Sequence, residues 1–233
     1  MTALRALVFD VFGTVVDWRS GVLTEALDVE KRTGVRADWA AVVDDWRRAY
    51  GPSLLEARRA STWRDLDALH RESLEAVLAE HGLVLPEPER AALVRSWRRL
   101  PAWPDAREGL ERLRRRHVTA TLSNGHVALL VDLVRFADLR FDALLSAQLA
   151  GSYKPDPVVY ATAAELLGLP PQEVGMVAAH AQDLQAAAEV GLRPLFVHRP
   201  LEWGPAGGDE LPHGLPGLVV AASFEDLADQ LDA

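Results

Sequence analysis

Hydrophobic and polar positions follow two different periods along this chain. Short apolar runs that end at a turn are typical of buried strands, whereas apolar residues at every third or fourth position are typical of helices. The first run, residues 6–9, ends at Asp10 and is followed closely by Gly13 and Thr14. Further strands are predicted at residues 118–122, 141–145, 174–179, 195–198 and 218–222. Helical patterns separate most of these runs, so the sequence predicts βαβ units and a parallel sheet.

A helical block interrupts this alternation directly after the first strand. Residues 20–97 carry apolar stripes at helical spacing and no convincing strand pattern. We therefore predict a doubly wound, Rossmann-like α/β core with an inserted all-helical cap domain. The core comprises residues 1–17 and 98–233, and the cap comprises residues 18–97.

Four helices are predicted within this cap. The first ends at Gly34, and the second begins at a capping Asp38. Pro52 is expected to interrupt the second helix, because proline lacks the backbone N–H that a helix interior needs. The third helix is predicted to start at Thr62, and the fourth is predicted to span residues 90–100.

Composition and charge narrow the functional class. The 233 residues are 49% hydrophobic, which is enough for a sizeable core, and the net charge of −9 argues against a nucleic-acid or anionic-membrane surface. The absence of cysteine excludes disulfides, thiolate metal sites and cysteine nucleophiles. No stretch approaches the roughly 20 apolar residues of a membrane span, and no signal-peptide pattern is present. We expect a cytoplasmic protein.

Polar side chains lie at or after the ends of several predicted strands. These groups are Asp10 with Thr14, Ser123 with Asn124, Lys154, and His180 with Asp183. In an open parallel sheet, ligands bind at the carboxyl ends of the strands. A carboxylate in that place, such as Asp10, serves as a nucleophile, a base or a metal ligand, or it only caps the following turn.

In combination, these segments resemble the haloacid dehalogenase superfamily. The four motifs of that superfamily are similar to Asp10-Val11-Phe12-Gly13-Thr14, Ser123-Asn124, Lys154-Pro155-Asp156-Pro157, and Asp183 before an alanine-rich helix. The resemblance covers the whole chain, including the helical cap, and the joint pattern is specific. The superfamily contains phosphatases, phosphonatases and dehalogenases, and the fold alone does not choose between them.

Two departures from the phosphatase pattern favour dehalogenation. Phosphatases of this superfamily usually carry a second Asp where this chain has Phe12, and another Asp where it has Ala179. Phosphoryl transfer needs a cation and a proton donor for the leaving group, whereas a halide leaves without a proton. The chain therefore resembles the L-2-haloacid, or (S)-2-haloacid, dehalogenase branch, and neither a metal nor another cofactor is expected.

The resemblance to this branch is close in the cap and weaker near the fourth motif. Arg47 on the second cap helix is similar to the cap arginine of the branch, and Tyr160 fits its pattern as well. The branch commonly has Ser, Asn and Trp at the positions of Ala178, His180 and Gln182. These differences concern the halide pocket and the size of the substrate more than the type of reaction.

The resemblance implies a two-step nucleophilic mechanism on a small-molecule haloacid. Asp10 attacks C2 of a 2-haloalkanoate, and water then hydrolyses the aspartyl ester to give a 2-hydroxy acid with inverted configuration. Lys154 keeps Asp10 ionised. The other expected roles are hydrogen-bond donation by Thr14 and Ser123, halide binding by Arg47 and Asn124, and activation of water by Asp183 or His180. Tyr160 is expected to orient Lys154 or to line the pocket, which Phe12 also lines.

Several alternatives stay open from the sequence alone. The chain could be a Mg²⁺-dependent phosphatase with a displaced acid, or a non-catalytic binding protein on the same scaffold. Ser123 and Asn124 could only close a turn, and Asp183 could only cap a helix. His180 could hydrogen-bond a departing halide, which would suit fluoride because fluoride is the strongest acceptor among halides. A homodimer is expected from the resemblance.

Overall fold

The computed structural model describes residues 3–59, 63–205, 207 and 211–232, and its core is a six-stranded sheet. The strands are β1 (Ala6–Phe9), β2 (Val118–Ser123), β3 (Ala143–Ser146), β4 (Val174–Ala178), β5 (Arg193–Val197) and β6 (Val219–Ala221). Their order is β3-β2-β1-β4-β5-β6, and every neighbouring pair is parallel. The predicted α/β fold class is confirmed, and each predicted strand is present within two residues of its expected bounds.

Four helices follow β1, in the segment predicted to be the cap, and this name is kept for them although the domain bounds stay a prediction. They are α1 (Trp18–Thr33), α2 (Trp39–Arg59), α3 (Leu66–Glu80) and α4 (Glu87–Ser96). The first ends at Gly34, as predicted. The predicted start of the third helix, Thr62, lies outside the described residues, and within them α3 begins at Leu66 after a capping Asp65.

The prediction that Pro52 interrupts the second helix is wrong. Helix α2 continues through Pro52 to Arg59. Pro52 is exposed on this helix, whereas Leu54 and Ala57 beyond it are buried in the core. The burial of these apolar side chains offsets the lost backbone hydrogen bond, and tertiary packing therefore overrides the local preference.

Five more helices cover the two faces of the sheet. They are α5 (Ala106–Arg114), α6 (Val127–Phe136), α7 (Pro157–Leu166), α8 (Ala181–Val190) and α9 (Phe224–Asp232). Alternate residues of β1 face opposite sides, so Leu7 and Phe9 pack with α5, α6 and α9, while Ala6 and Val8 pack with α7 and α8. No helix in the described part of the chain is long and apolar enough to cross a membrane.

The connection between cap and core is built from tryptophan rings. Trp97, which follows α4, stacks against Trp18 with ring centroids 6.0 Å apart. The same ring contacts Phe12 at 5.7 Å and Trp46 at 5.6 Å in edge-on geometry. All four side chains are buried. This packing fixes α2 above the loop that follows β1.

The topology places the carboxyl ends of β1 and β4 side by side at the centre of the sheet. From β1 the chain proceeds outward through β2 and β3, and it then returns to add β4, β5 and β6 on the other side. The strand order therefore reverses between β1 and β4, which is where open α/β sheets bind ligands.

A substitution at Gly109 in α5 would test how closely α5 and α9 approach each other. A Cβ atom at this position would lie 2.3 Å from Phe224 Cβ and 2.8 Å from the Phe224 carbonyl carbon. We expect Gly109→Ala to lower the free energy of unfolding by about 1–3 kcal/mol, because the backbones of α5 and α9 must separate. Urea denaturation at equilibrium measures this loss.

Ala128→Gly on the exposed face of α6 is the control, because it changes only helix propensity. It should lower the free energy of unfolding by up to about 1 kcal/mol. If Gly109→Ala instead stabilised the protein by the amount that Ala128→Gly destabilises it, the close approach of α5 and α9 would be contradicted.

Candidate active site

A buried lysine lies between two buried carboxylates at the carboxyl edge of the sheet. Lys154 Nζ is 2.8 Å from Asp10 Oδ1 and 2.6 Å from Asp183 Oδ2. Asp10 follows β1 directly, and Asp183 lies in the first turn of α8. All three side chains are less than one-tenth exposed. The sheet topology thus brings together three residues that are up to 173 positions apart (10 to 183) in the chain.

Burial and charge act against each other on these groups. Burial alone would raise the pKa of Asp10, but Lys154 and His180 outweigh it and hold that pKa well below its usual range. Burial would lower the pKa of Lys154, but the two carboxylates raise it above its usual range. For Asp183, burial and the neighbouring Asp10 raise the pKa. Asp10 is therefore ionised, as a nucleophile requires.

Thr14 ties the end of β1 to the end of β4. Its hydroxyl donates to Asp10 Oδ2 at 2.8 Å and accepts from the backbone N–H of Ala179 at 2.9 Å. Thr14 is fully buried. The residue at position 179 therefore contributes a backbone donor to the site, whereas its alanine side chain contributes no acid.

His180 and Glu202 form a second pair of charges beside Asp10. His180 Nδ1 is 3.1 Å from Asp10 Oδ2, and His180 Nε2 is 3.0 Å from Glu202 Oε2. Burial would lower the pKa of His180, but Glu202 and Asp10 raise it to about 10. Burial would raise the pKa of Glu202, but His180 lowers it below its usual range. The imidazole is therefore a cation at neutral pH.

Glu202 is a site residue that the sequence analysis did not identify. It lies in the turn after β5, where its backbone N–H donates to Arg199 O at 3.0 Å. Its carboxylate accepts from Trp18 Nε1 at 2.8 Å, and only 4% of the residue is exposed. No local signal marks it, because a glutamate in a loop rich in proline and glycine is usually solvated. The one general signal is that the loop after β5 ends at the same sheet edge.

Gly13 makes room for this glutamate. Gly13 has φ +90°, and a Cβ atom there would lie 2.1 Å from Glu202 Oε1. A side chain at position 13 would therefore displace the carboxylate from His180.

Other predicted site residues adopt supporting positions. The Tyr160 hydroxyl donates to Asp183 Oδ1, the carboxylate that Lys154 also bonds, and the predicted role of Tyr160 in orienting Lys154 stays a prediction. Asn124 Oδ1 accepts from the backbone N–H of Lys154 at 2.7 Å, so Asn124 positions the lysine backbone. Ser123 Oγ accepts from Gly125 N at 3.1 Å, which closes the turn after β2. Their predicted contacts with the halide or with Asp10 remain predictions.

Arg47 reaches the site from the cap. Its guanidinium lies over the ring of Tyr50 at 4.6 Å and over the ring of Trp18 at 5.3 Å. Its Nη1 atom is buried and has no hydrogen-bond partner among the described residues. A buried donor without a partner is costly, so this atom is available to an anion.

A cavity of about 400 Å³ separates the cap from the core. Its core wall includes Asp10, Phe12, Asn124, Lys154, His180 and Asp183, and its cap wall includes Arg47, Tyr50, Leu54 and Arg58. A larger open groove of about 920 Å³ lies along α5 and residues 136–140, and it contains none of the predicted site residues. Within the described residues, no group of His, Asp and Glu side chains has the arrangement of a metal site.

Comparisons with known proteins agree with this geometry. Residues 4–191 match the family described as haloacid dehalogenase-like hydrolase. The (S)-2-haloacid dehalogenase 4A of Burkholderia cepacia is 32% identical over 200 residues, which cover 84% of this chain and 84% of the relative.

Solved structures extend the similarity to the whole chain. The crystal structure of an L-2-haloacid dehalogenase is 43% identical and superposes with a TM-score of 0.93 over 99% of both chains. That of a defluorinating L-2-haloacid dehalogenase is 40% identical, with a TM-score of 0.94 over 99% of this chain and 96% of the other. The resemblance found in the sequence is confirmed, and this chain belongs to the haloacid dehalogenase-like hydrolases, within the group of the (S)-2-haloacid dehalogenases.

Proposed function

We propose that this enzyme hydrolyses short 2-haloalkanoic acids to 2-hydroxy acids, with inversion at C2 and without a metal. The observation that carries the proposal is the position of Asp10. This carboxylate is held ionised by Lys154 and faces, across a cavity of about 400 Å³, a cap arginine with a donor that no described residue pairs. A nucleophile and an anion site on opposite walls suit the displacement of a halide.

In the first step, Asp10 attacks C2 and the halide leaves on the opposite side. Lys154 and Thr14 hold the carboxylate in a fixed orientation through bonds of 2.8 Å to its two oxygens. Arg47 receives the negative charge that develops on the halogen, through a buried donor that has no hydrogen-bond partner among the described residues. The product of this step is an ester between Asp10 and the substrate carbon.

In the second step, water attacks the carbonyl carbon of that ester. Asp183 accepts the proton of the water, which its raised pKa favours. Tyr160 and Lys154 bond the two oxygens of Asp183 and fix the orientation of this base. The 2-hydroxy acid leaves with an oxygen that came from Asp10.

The donor set supports this function over phosphoryl transfer. Phe12 occupies the position where a phosphatase of this superfamily usually has its acid, and its ring packs edge-on against Trp97. The two carboxylates beside the strand ends, Asp10 and Asp183, are both bonded to the Lys154 ammonium, and the third, Glu202, is bonded to His180. A cation at that place would have to displace a buried lysine.

Fluorinated acids are a second candidate substrate class. The solved structure at 40% identity is that of a defluorinating enzyme, and the small cavity here contains several N–H donors. Fluoride is the halide that gains most from such donors. Fluoroacetate therefore belongs in the first assay.

The cytoplasmic location and the homodimer are also part of the proposal. The resemblance to the dehalogenase branch supports both. Light scattering of the purified protein would test the dimer, and fractionation of the source cells would test the location.

Halide release tests the proposed reaction directly. We expect chloride from one enantiomer of 2-chloropropionate, at equal rates with EDTA and with added Mg²⁺, measured with a halide electrode. Asp10→Asn should lower the rate by roughly a thousandfold or more, because the nucleophile is lost. Release of phosphate from an aryl phosphate that requires Mg²⁺, without halide release, would favour the phosphatase. Substrate binding without turnover in the wild type would favour a binding protein.

Substitution of the two adjacent arginines of α2, one at a time, distinguishes anion binding in the cavity from the general positive charge of the cap. Arg47→Ala should lower kcat/KM by roughly 10²–10³-fold, because an anion-stabilising donor is removed from the cavity. Arg48, which pairs with Asp45 on the exposed side of α2, is the matched control. Arg48→Ala should leave kcat/KM within about twofold, since exposed ion pairs contribute little. Equal losses in the two variants would contradict the proposed role of Arg47.

A further inference from the structure

Both ring nitrogens of His180 face carboxylates. Nδ1 lies 3.1 Å from Asp10 Oδ2, and Nε2 lies 3.1 Å and 3.0 Å from the two oxygens of Glu202. An ionised carboxylate only accepts hydrogen bonds, so both contacts are hydrogen bonds only when both nitrogens carry protons. The geometry therefore specifies an imidazolium, and the raised pKa agrees with it.

The surroundings of Glu202 hold its carboxylate against His180, where it stabilises the positive charge of the imidazolium. Glu202 is almost completely buried, its carboxylate accepts from Trp18 Nε1, and the lack of a side chain at Gly13 admits it. The other charged groups around His180 are Asp10 and Asp183, with Lys154 between them, and Arg47 near Glu202. Three carboxylates and three cations thus share the resting site.

The two oxygens of Asp10 have different surroundings. Among the described residues, Oδ1 accepts a hydrogen bond from Lys154 only, whereas Oδ2 accepts from both the Thr14 hydroxyl and His180 Nδ1. Oδ1 is therefore the better nucleophile toward the substrate carbon. Oδ2, with two donors including a cation, is the place where added negative charge is best stabilised.

We propose that His180 is a catalytic residue of the second step, in which its Nδ1–H and the Thr14 hydroxyl stabilise the oxyanion that forms on Asp10 Oδ2. Glu202 acts as the positioning residue that keeps His180 oriented and protonated. This inference rests on the proposed dehalogenation, since it concerns the ester that the first step leaves on Asp10.

Hydrolysis of the ester begins with the attack of water and ends with a free Asp10. Water oxygen bonds to Asp10 Cγ, the carbonyl electron pair moves to Oδ2, and the proton of the water passes to Asp183. The carbonyl then re-forms, the bond between Cγ and Oδ1 breaks, and the departing alkoxide takes a proton from Lys154. Lys154 regains a proton from Asp183, 2.6 Å away. Asp10, now a carboxylic acid that contains the oxygen from water, releases its proton to solvent.

The same contacts argue against two other roles for His180. A general base needs a free nitrogen, and both nitrogens are engaged as donors to carboxylates. A halide ligand needs a donor directed into the cavity, and Nδ1 is directed at Asp10. Alkylation of Asp10 removes one negative neighbour, which leaves the imidazolium beside a neutral carbonyl that gains charge only during hydrolysis.

A rapid-quench burst experiment tests the assignment. In His180→Ala, we expect one halide per active site to be released rapidly, because Asp10 and Lys154 are intact. The following steady rate should fall by roughly 10²–10³-fold, because an oxyanion donor is lost. Mass spectrometry should then find the protein alkylated on Asp10. His81→Ala, which removes a His–Asp pair on the cap away from the cavity, is the matched control and should behave as the wild type.

Two conservative variants distinguish the effect of the charges on His180 and Glu202 from the effect of the size of their side chains. His180→Asn keeps a neutral donor near the position of Nδ1, and Glu202→Gln keeps the size of the carboxylate and an acceptor for Trp18. We expect intermediate rates of ester hydrolysis in both. In the wild type, hydrolysis in single turnover should fall as the pH rises through the pKa of His180, and Glu202→Gln should move this fall to lower pH. Lys154 stays charged in this range.

Proton NMR of the His180 ring supplies a readout that does not depend on turnover. The resting wild type should titrate near 10, and Glu202→Gln should titrate lower. The inference is overturned if burst and steady rates fall together in His180→Ala, or if His180→Asn hydrolyses the ester at the wild-type rate with an unchanged pH profile. Absence of halide release from the wild type would instead contradict the proposed function itself.

Discussion

The ammonium group of Lys154 is the constraint on which this structure depends. Removing two carboxylates from water costs several kcal/mol for each ion unless opposite charge and hydrogen bonds compensate. Lys154 bonds both Asp10 and Asp183, and Asn124 and Tyr160 in turn hold the lysine backbone and the second carboxylate. The loops after β1, β2, β3 and β4 must therefore meet at one point for any of these charges to be tolerated.

Much of the architecture follows from the sequence, because the strands are short, apolar and separated by helical patterns. The sheet, the helical insertion and the groups at the first four strand ends were predictable for that reason. The continuation of α2 through Pro52 was not predictable, because local helix propensity contains no information on the burial of Leu54 and Ala57. The hydrogen-bond partner of Tyr160 was not predictable either, since spacing places its hydroxyl near the site without choosing between Lys154 and Asp183.

Glu202 shows the limit of motif reasoning most clearly. Most of the predicted residues lie beside a recognisable strand end or motif, and Arg47 was found through the resemblance to the family, whereas Glu202 lies in an irregular segment that composition alone describes as solvated. Its burial depends on Trp18 from the first cap helix and on His180 from the start of α8. These contacts exist only once the cap and the sheet have assembled, so no local pattern encodes them.

The close approach of Glu202 to Gly13 has a consequence for the transfer of these residues into a homologue. His180 introduced alone into a homologue would be a partly exposed cation that lacks one counter-charge, and Glu202 introduced alone would be an unpaired buried anion. A larger residue at position 13 would exclude the glutamate whatever else were changed. Positions 13, 180 and 202 therefore depend on one another physically, although they lie in three distant segments of the chain.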